Sequence, residues 1–347
     1  MNAADTNAAD ANRTDANVPY EDSVAGFSSD EGSLTDRDFL PDFSSGLSLD
    51  LSSGPSPDSS NRSGLLDPQR VMPLTCAVAD TVIALASVDS TNTFAADLVR
   101  SGGFPADGDF RNDFFAVVCA DTQTAGRGRL DHTWASSAGE SFIVSFVASV
   151  PVAIVRDPSV CGWLQMSAGL AVLDAIRETC PNRRVEPQLK WPNDVFADGR
   201  KFGGILAEMV PIADCDDRVA IVFGVGLNLA VPAERLPTEQ AISLHMFADG
   251  LPDFAVLRDM LASRIVRKLQ CRLRFLEEDP ISGARRCLDE MGEVCWTIGK
   301  TCEAHFADGT TLRGRAIRIN PDASLTIEDR QGVAHQVTTA DVGVLAN

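Results

Sequence analysis

Apolar and polar positions fall into a regular pattern only beyond about residue 80. The run Thr81-Val82-Ile83-Ala84-Leu85-Ala86-Ser87-Val88 is short, apolar and partly β-branched, which predicts a buried strand. Asp89-Ser90-Thr91-Asn92 follows, where a Ser or Thr hydroxyl can cap a helix carrying Phe94, Leu98 and Val99. After a loop rich in Gly, Pro and Asp at 101–113, residues 114–120 and 141–150 predict two more strands. Apolar residues at Val160, Trp163, Leu164, Met166, Leu170, Leu173 and Ile176 then repeat at helical spacing and stop at Pro181. Trp163 and Met166 read as packing residues of that helix. Strands are expected over 185–189, from Lys201 after an Asp198-Gly199 hairpin turn, and over 219–225. A helix with Phe254, Leu257, Leu261, Ile265, Leu269 and Leu273 follows, then a shorter one near 280–291. Beyond Gly292 the texture changes to short alternating segments at 294–306, 311–320, 324–329 and 333–338, which predict a small β-barrel.

Residues 1–70 lack this patterning. They are rich in Ala, Asn, Asp, Ser and Gly, and carry 13 Asp and Glu against 4 Arg, nearly half of the net charge of −19. Too little burial is available there to offset chain entropy, so a disordered acidic tail is expected. The expected division is therefore a tail at 1–70, a central domain at 71–291 that carries the candidate chemistry below, and a C-terminal domain at 292–347. The overall charge disfavours nonspecific contact with nucleic acid phosphates. No uncharged apolar run reaches membrane-spanning length, and the N-terminus lacks the basic start of a signal peptide, so a cytoplasmic protein is the default. Nine cysteines, scattered and without Cys-x-x-Cys, suggest reduced thiols, and four distant histidines show no metal-ligand spacing. No protein metal site is expected.

Two stretches carry candidate chemistry. Gln123-Thr124-Ala125-Gly126-Arg127-Gly128-Arg129 places two guanidinium groups among glycines, where main-chain N–H groups can approach an anion closely. Lys190-Trp191-Pro192-Asn193-Asp194 sets one lysine before a restricted Trp-Pro step. Neither holds a nucleophile beside a base. Together they suggest stabilisation of negative charge on a carboxylate and a phosphate. Gly224-Val225-Gly226 lacks the third glycine and helix of a dinucleotide fingerprint.

Ser90-Thr91-Asn92, the arginine loop, the Lys190 motif, Lys201 with Gly203-Gly204-Ile205-Leu206, and Gly224-Val225-Gly226-Leu227-Asn228 occur in an order and spacing that resemble the bacterial biotin protein ligases. The resemblance spans about residues 78–345 and favours the ligase-only form without a DNA-binding domain. It implies an α+β fold in which helices flank a mixed sheet, biotin/lipoate ligase-like and related to class II synthetases, with a small C-terminal SH3-like β-barrel. It implies an ATP- and Mg²⁺-dependent enzyme that makes biotinyl-5′-AMP and transfers biotin to a lysine of the biotin carboxyl carrier domain of an acyl-CoA or pyruvate carboxylase. By resemblance, Lys190, Arg127 and Arg129 are catalytic. Ser90, Thr91, Asn92, Gln123, Arg127, Gly128, Arg129, Lys190, Gly203 and Gly204 bind biotin, while Arg127, Arg129, Trp134, Asn193, Lys201 and Asn228 face the nucleotide. No nucleic acid or membrane partner is implied, and a monomer or weak dimer is expected. A lipoate or octanoate ligase and a non-catalytic biotin sensor are the alternatives.

Overall fold

The computed structural model describes residues 63–104, 114–129 and 132–345. These lie in one compact unit, Leu51–Asn347; the other unit, Met1–Asp50, falls outside the described residues, as does the expected tail up to residue 62. The tail's boundary at 70 needs correction. Strand β1 (Ser63–Leu66) pairs antiparallel with β2 (Thr81–Val88), Leu65 opposite Leu85, because Leu65-Leu66 supplies an extended apolar pair. Asp67 then caps a helical turn, α1 (Pro68–Val71), with proline at its first position, and α2 (Pro73–Cys76) follows.

Strand β2 leads into helix α3 (Thr91–Ser101), which crosses back to β3 (Phe115–Gln123), and these two strands are parallel. The remaining pairs, of β3 with β4 (Ser141–Pro151) and among β4, β5 (Gln188–Lys190), β6 (Asp194–Ala197), β7 (Arg200–Pro211) and β8 (Arg218–Asn228), are antiparallel. The sheet runs β1-β2-β3-β4-β8-β7-β6-β5. Strand β5 is shorter than expected, and the hairpin between β6 and β7 turns at Asp198 and Gly199, both at positive φ.

Both faces of this sheet are covered, which explains why its central strands read as continuous apolar runs. On β3, Phe115, Val117 and Cys119 pack toward helices α5 (Cys161–Thr179) and α6 (Phe254–Glu278), after the short α4 (Val152–Arg156). The alternate residues Ala116, Val118 and Ala120 pack toward Ala95, Leu98 and Val99 of α3. No described helix is long and apolar enough to cross a membrane.

Helix α7 (Pro280–Val294) leads into a second, antiparallel sheet: β9 (Thr301–His305), β10 (Thr311–Ile319), β11 (Leu325–Asp329), β12 (Ala334–Val337) and β13 (Asp341–Val344), ordered β12-β11-β10-β9-β13. Here two expectations are corrected. Its first strand starts at Thr301, not 294, because α7 persists through Val294, and a fifth strand is present. Among the described residues β12 and β13 each pair on one side only, so the sheet is open and does not close as a barrel. Two indoles fasten it to the larger sheet. Trp163 Nε1 donates to Pro321 O at 2.7 Å and Trp191 Nε1 to Ala323 O at 2.8 Å, fixing the turn between β10 and β11 against α5 and the Lys190 segment.

Candidate active site

The start of α3 supplies a polar floor. Ser90 caps the helix, its hydroxyl accepting from Thr93 N–H at 3.4 Å. Thr91 donates to Gln123 Oε1 through both its backbone N–H (2.8 Å) and its hydroxyl (3.1 Å), tying the helix to the end of β3. Ser145 Oγ, from β4, lies 2.8 Å from Thr91 Oγ1 and 2.6 Å from Asn92 Oδ1. Asn92 Nδ2 donates to Leu206 O at 3.1 Å and to Glu208 Oε2 at 2.8 Å. Position 224 must be glycine for this, since a Cβ there would sit 2.3 Å from Asn92 Oδ1.

The arginine loop folds over that floor. Thr124 and Ala125 N–H donate to Val88 O and Asp89 O, and Trp134 N–H to Gly126 O, each at 2.9 Å, so the loop returns on itself. Arg127 Nη2 lies 3.0 Å from Glu208 Oε1. Arg129 Nη1 donates to Asn193 Oδ1 at 3.2 Å. Burial lowers the Arg129 pKa from its ordinary value, against the pull of the Asp341 and Asp194 carboxylates; starting from so high a value, the guanidinium keeps its proton. Trp134 lays its indole on β8 where Gly226 leaves room; a Cβ there would come within 2.5 Å of the ring.

Lys190 ends β5, with its side chain largely buried. Its Nζ lies 3.0 Å from Asp194 Oδ2, and Lys201 Nζ lies 2.7 Å from Oδ1 of the same carboxylate. Burial alone would raise the Asp194 pKa, but the Lys190 and Lys201 ammoniums outweigh it and hold the carboxyl below its ordinary value. The next residue is held from two sides: Trp191 N–H donates to Thr297 Oγ1 at 2.9 Å and its indole is bound as described; its peptide to Pro192 is cis.

Many of these groups line one cavity of about 430 Å³, a size suited to a small molecule, with Ser145 and Glu208 standing behind Thr91, Asn92 and Arg127. Ser90, Thr91, Asn92 and Gln123 occupy its polar end, and Arg127, Arg129, Lys190 and Lys201 bring cations to it. Gly128, Trp134, Asn193 and Gly204 also reach it. Two expected residues do not. Gly203 is buried in the sheet, where a Cβ would lie 2.4 Å from Gly226 O, so it serves strand packing. Asn228 is buried beneath the next loop, its amide donating to Ile242 O at 3.3 Å and its carbonyl accepting from Ser243 Oγ at 3.0 Å. Sequence reasoning missed Ser145, Glu208 and Asp341. Ser145 and Glu208 left a signal, as polar side chains within apolar strands; Asp341 left none, because it arrives from β13 of the second sheet.

A hydrogen-bonding floor and a cationic wall on one cavity, carried by a mixed-sheet α+β fold, define a protein that holds a small acid beside further negative charge. A model of the biotin/lipoate A/B protein ligase family matches residues 86–228. The biotin–[acetyl-CoA-carboxylase] ligase of Mycobacterium tuberculosis is 38% identical over 260 residues, covering 66% of this chain and 88% of that relative. The bifunctional ligase/repressor BirA of Bacillus subtilis is 28% identical over 227 residues, 65% of each chain. Among solved structures, the biotin protein ligase from Aquifex aeolicus in complex with biotin and ATP shares the fold, with a TM-score of 0.57 at 20% identity over 77% of this chain and 100% of that one. The chain belongs to the biotin/lipoate A/B protein ligase family.

Proposed function

We infer that the protein is a biotin–protein ligase, which activates biotin with ATP to biotinyl-5′-AMP and then transfers the biotinyl group to a lysine of a biotin carboxyl carrier domain. The observation that carries this reading is the convergence of Lys190, Arg127 and Arg129 on one cavity with the polar groups of Ser90, Thr91, Asn92 and Gln123. The ureido ring of biotin needs neutral donors and acceptors, which the start of α3 offers. Its carboxylate needs a cation, and Lys190 supplies one to the same cavity.

In the first step a carboxylate oxygen bonds to the α-phosphorus, the bond to the bridging oxygen breaks and pyrophosphate leaves. Two anions must meet, so the barrier falls when fixed cations neutralise the charge that develops. Lys190 serves the reacting carboxylate and α-phosphate, while Arg127 and Arg129 grip the phosphate from the loop. Trp134, Asn193 and Lys201 face the nucleotide, and Gly204 opens the sheet surface to the apolar body of biotin. In the second step the carrier's neutral ε-amine attacks the acyl carbon, AMP leaves and the amine sheds a proton.

Magnesium fits this site as a companion of the nucleotide. Among the described residues no three His, Cys, Asp or Glu side chains gather as a metal cage. The carboxylates lining the cavity are Asp194, already shared by two lysines, and Asp341. Such a donor set suits an ion held chiefly by phosphate oxygens and water; when bound it offsets phosphate charge. The nine free thiols suit a reducing cytoplasm.

The test is one reaction: the protein, ATP and a carrier domain with biotin or lipoate. Biotin should drive pyrophosphate release and label the carrier on a streptavidin blot. Release with lipoate alone would instead assign a lipoate ligase.

A further inference from the structure

Glu208 lies on β7 two residues beyond Leu206, a cavity-lining residue. Its carboxylate meets two partners at once, Oε1 lying 3.0 Å from Arg127 Nη2 and Oε2 accepting from Asn92 Nδ2 at 2.8 Å. A continuous polar chain results: Gln123 to Thr91, Thr91 to Ser145, Ser145 to Asn92, Asn92 to Glu208, Glu208 to Arg127. It begins and ends on the same loop. Between its two ends it passes through the groups that form the polar floor.

We propose that Glu208 is a positioning residue that fixes the Asn92 amide and latches Arg127 over the cavity before ligand binds, so that the floor and the arginine loop respond together. The proposal rests on the biotin and nucleotide reading of the cavity. Both neighbours present donors to Glu208, so the side chain must offer an acceptor on each side. An ionised carboxylate does this; a glutamine would turn its NH₂ against Arg127 or against Asn92. Asn92 in turn has one arrangement, Oδ1 toward Ser145 and Nδ2 toward Leu206 O and Glu208.

The two contacts differ in strength. The Arg127 side chain is 51% exposed and that of Glu208 26%, so their pair is screened by water and weak. Asn92 is 4% exposed, and its bond to a charged acceptor is the firmer one. An incoming carboxylate or phosphate can therefore draw Arg127 away while Asn92 stays in place. The Glu208 carboxylate also offsets the Arg127 charge, and with Arg127 removed its Oε1 would lose that counter-ion.

The test uses the full chain with Glu208→Gln, read by the steady-state kinetics of biotin-dependent pyrophosphate release and by trypsin cleavage after Arg129 without ligand. KM for biotin should rise roughly tenfold, the scale of one lost charge-assisted hydrogen bond, with kcat changed less than about threefold. Ligand-free cleavage should quicken. Arg127→Ala should quicken it too, and adding Glu208→Gln to that variant should then have no further effect. An unchanged KM, unchanged cleavage, or additive effects in the double variant would each overturn the proposal. Should Glu208→Gln fail to fold, Glu208→Asp keeps the charge but is too short to span both partners, and the same faster cleavage is expected of it. If the unaltered protein releases no pyrophosphate with biotin, the functional reading fails, and the cleavage comparison alone then decides whether Glu208 latches Arg127.

Discussion

At the scale of single residues, the two lysines of the cationic wall are held in place by one acid. Asp194 accepts from both Lys190 and Lys201, so the two ammoniums keep their positions without crowding each other. Replacing Lys190 with Ala should slow biotin-dependent pyrophosphate release by about 10² to 10³, the usual cost of losing one fixed transition-state contact. Near-normal release would remove Lys190 from the chemistry. Asp194 also makes the fold sensitive to acid. Its pKa in the folded chain is depressed, so its contribution is complete above the unfolded carboxylate value of about 3.9 and is lost as pH falls through the lower folded value. Asp194→Asn should be less stable in urea at neutral pH, and its gap to the unaltered protein should narrow as pH falls below the unfolded carboxylate value of about 3.9. A gap that does not change with pH would contradict this.

At the scale of elements, the arginine loop is the part built to move. It is held at its base by backbone hydrogen bonds to Val88 and Asp89, and its two guanidinium groups are held by one contact each described above, Arg127 to Glu208 and Arg129 to Asn193. Biotin with ATP should suppress tryptic cleavage after Arg127 and Arg129, while unchanged cleavage would rule out closure over the ligand. Much of this element was legible beforehand, because glycines around arginines, after a strand, restrict what the segment can be. The cap at Ser90, the strand ending at Lys190 and the hairpin at Asp198-Gly199 were legible for the same reason: each is a local arrangement of neighbouring residues. What was not legible is non-local. Gly203 and Gly204 read alike, yet β-pleating turns one into the sheet and the other toward the cavity. Asn228 looked like a ligand group because nothing in its neighbours reveals that Ser243 and Ile242 fold over it. The first strand was missed because four residues beside a polar tail give too short a pattern, and β13 because Gly343 interrupts it.

At the scale of the whole molecule, the site depends on two sheets staying in register. The turn between β10 and β11 is gripped by the indoles of Trp163 and Trp191, and Trp191 adjoins Lys190. Trp163→Phe and Trp191→Phe each remove a buried pyrrole ring and its N–H, leaving a carbonyl unpaired and a small void, so each should lower unfolding free energy by at least about 1–3 kcal/mol in urea. Trp191→Phe should also lower kcat, since it alone loosens the backbone that aims the lysine. Equal kinetic effects from the two variants would argue that the sheets communicate in some other way.

The lining supplied by Asp341 and Gly343 of β13 has a consequence for biogenesis. Lys190 is translated 151 residues before Asp341, an interval of roughly 8 to 30 seconds at about 5–20 residues per second. Throughout that delay a nascent polypeptide could shape the vitamin-facing half of its pocket while the opposite wall has yet to leave the ribosome. Competence should therefore appear late and all at once, after the final strand has docked.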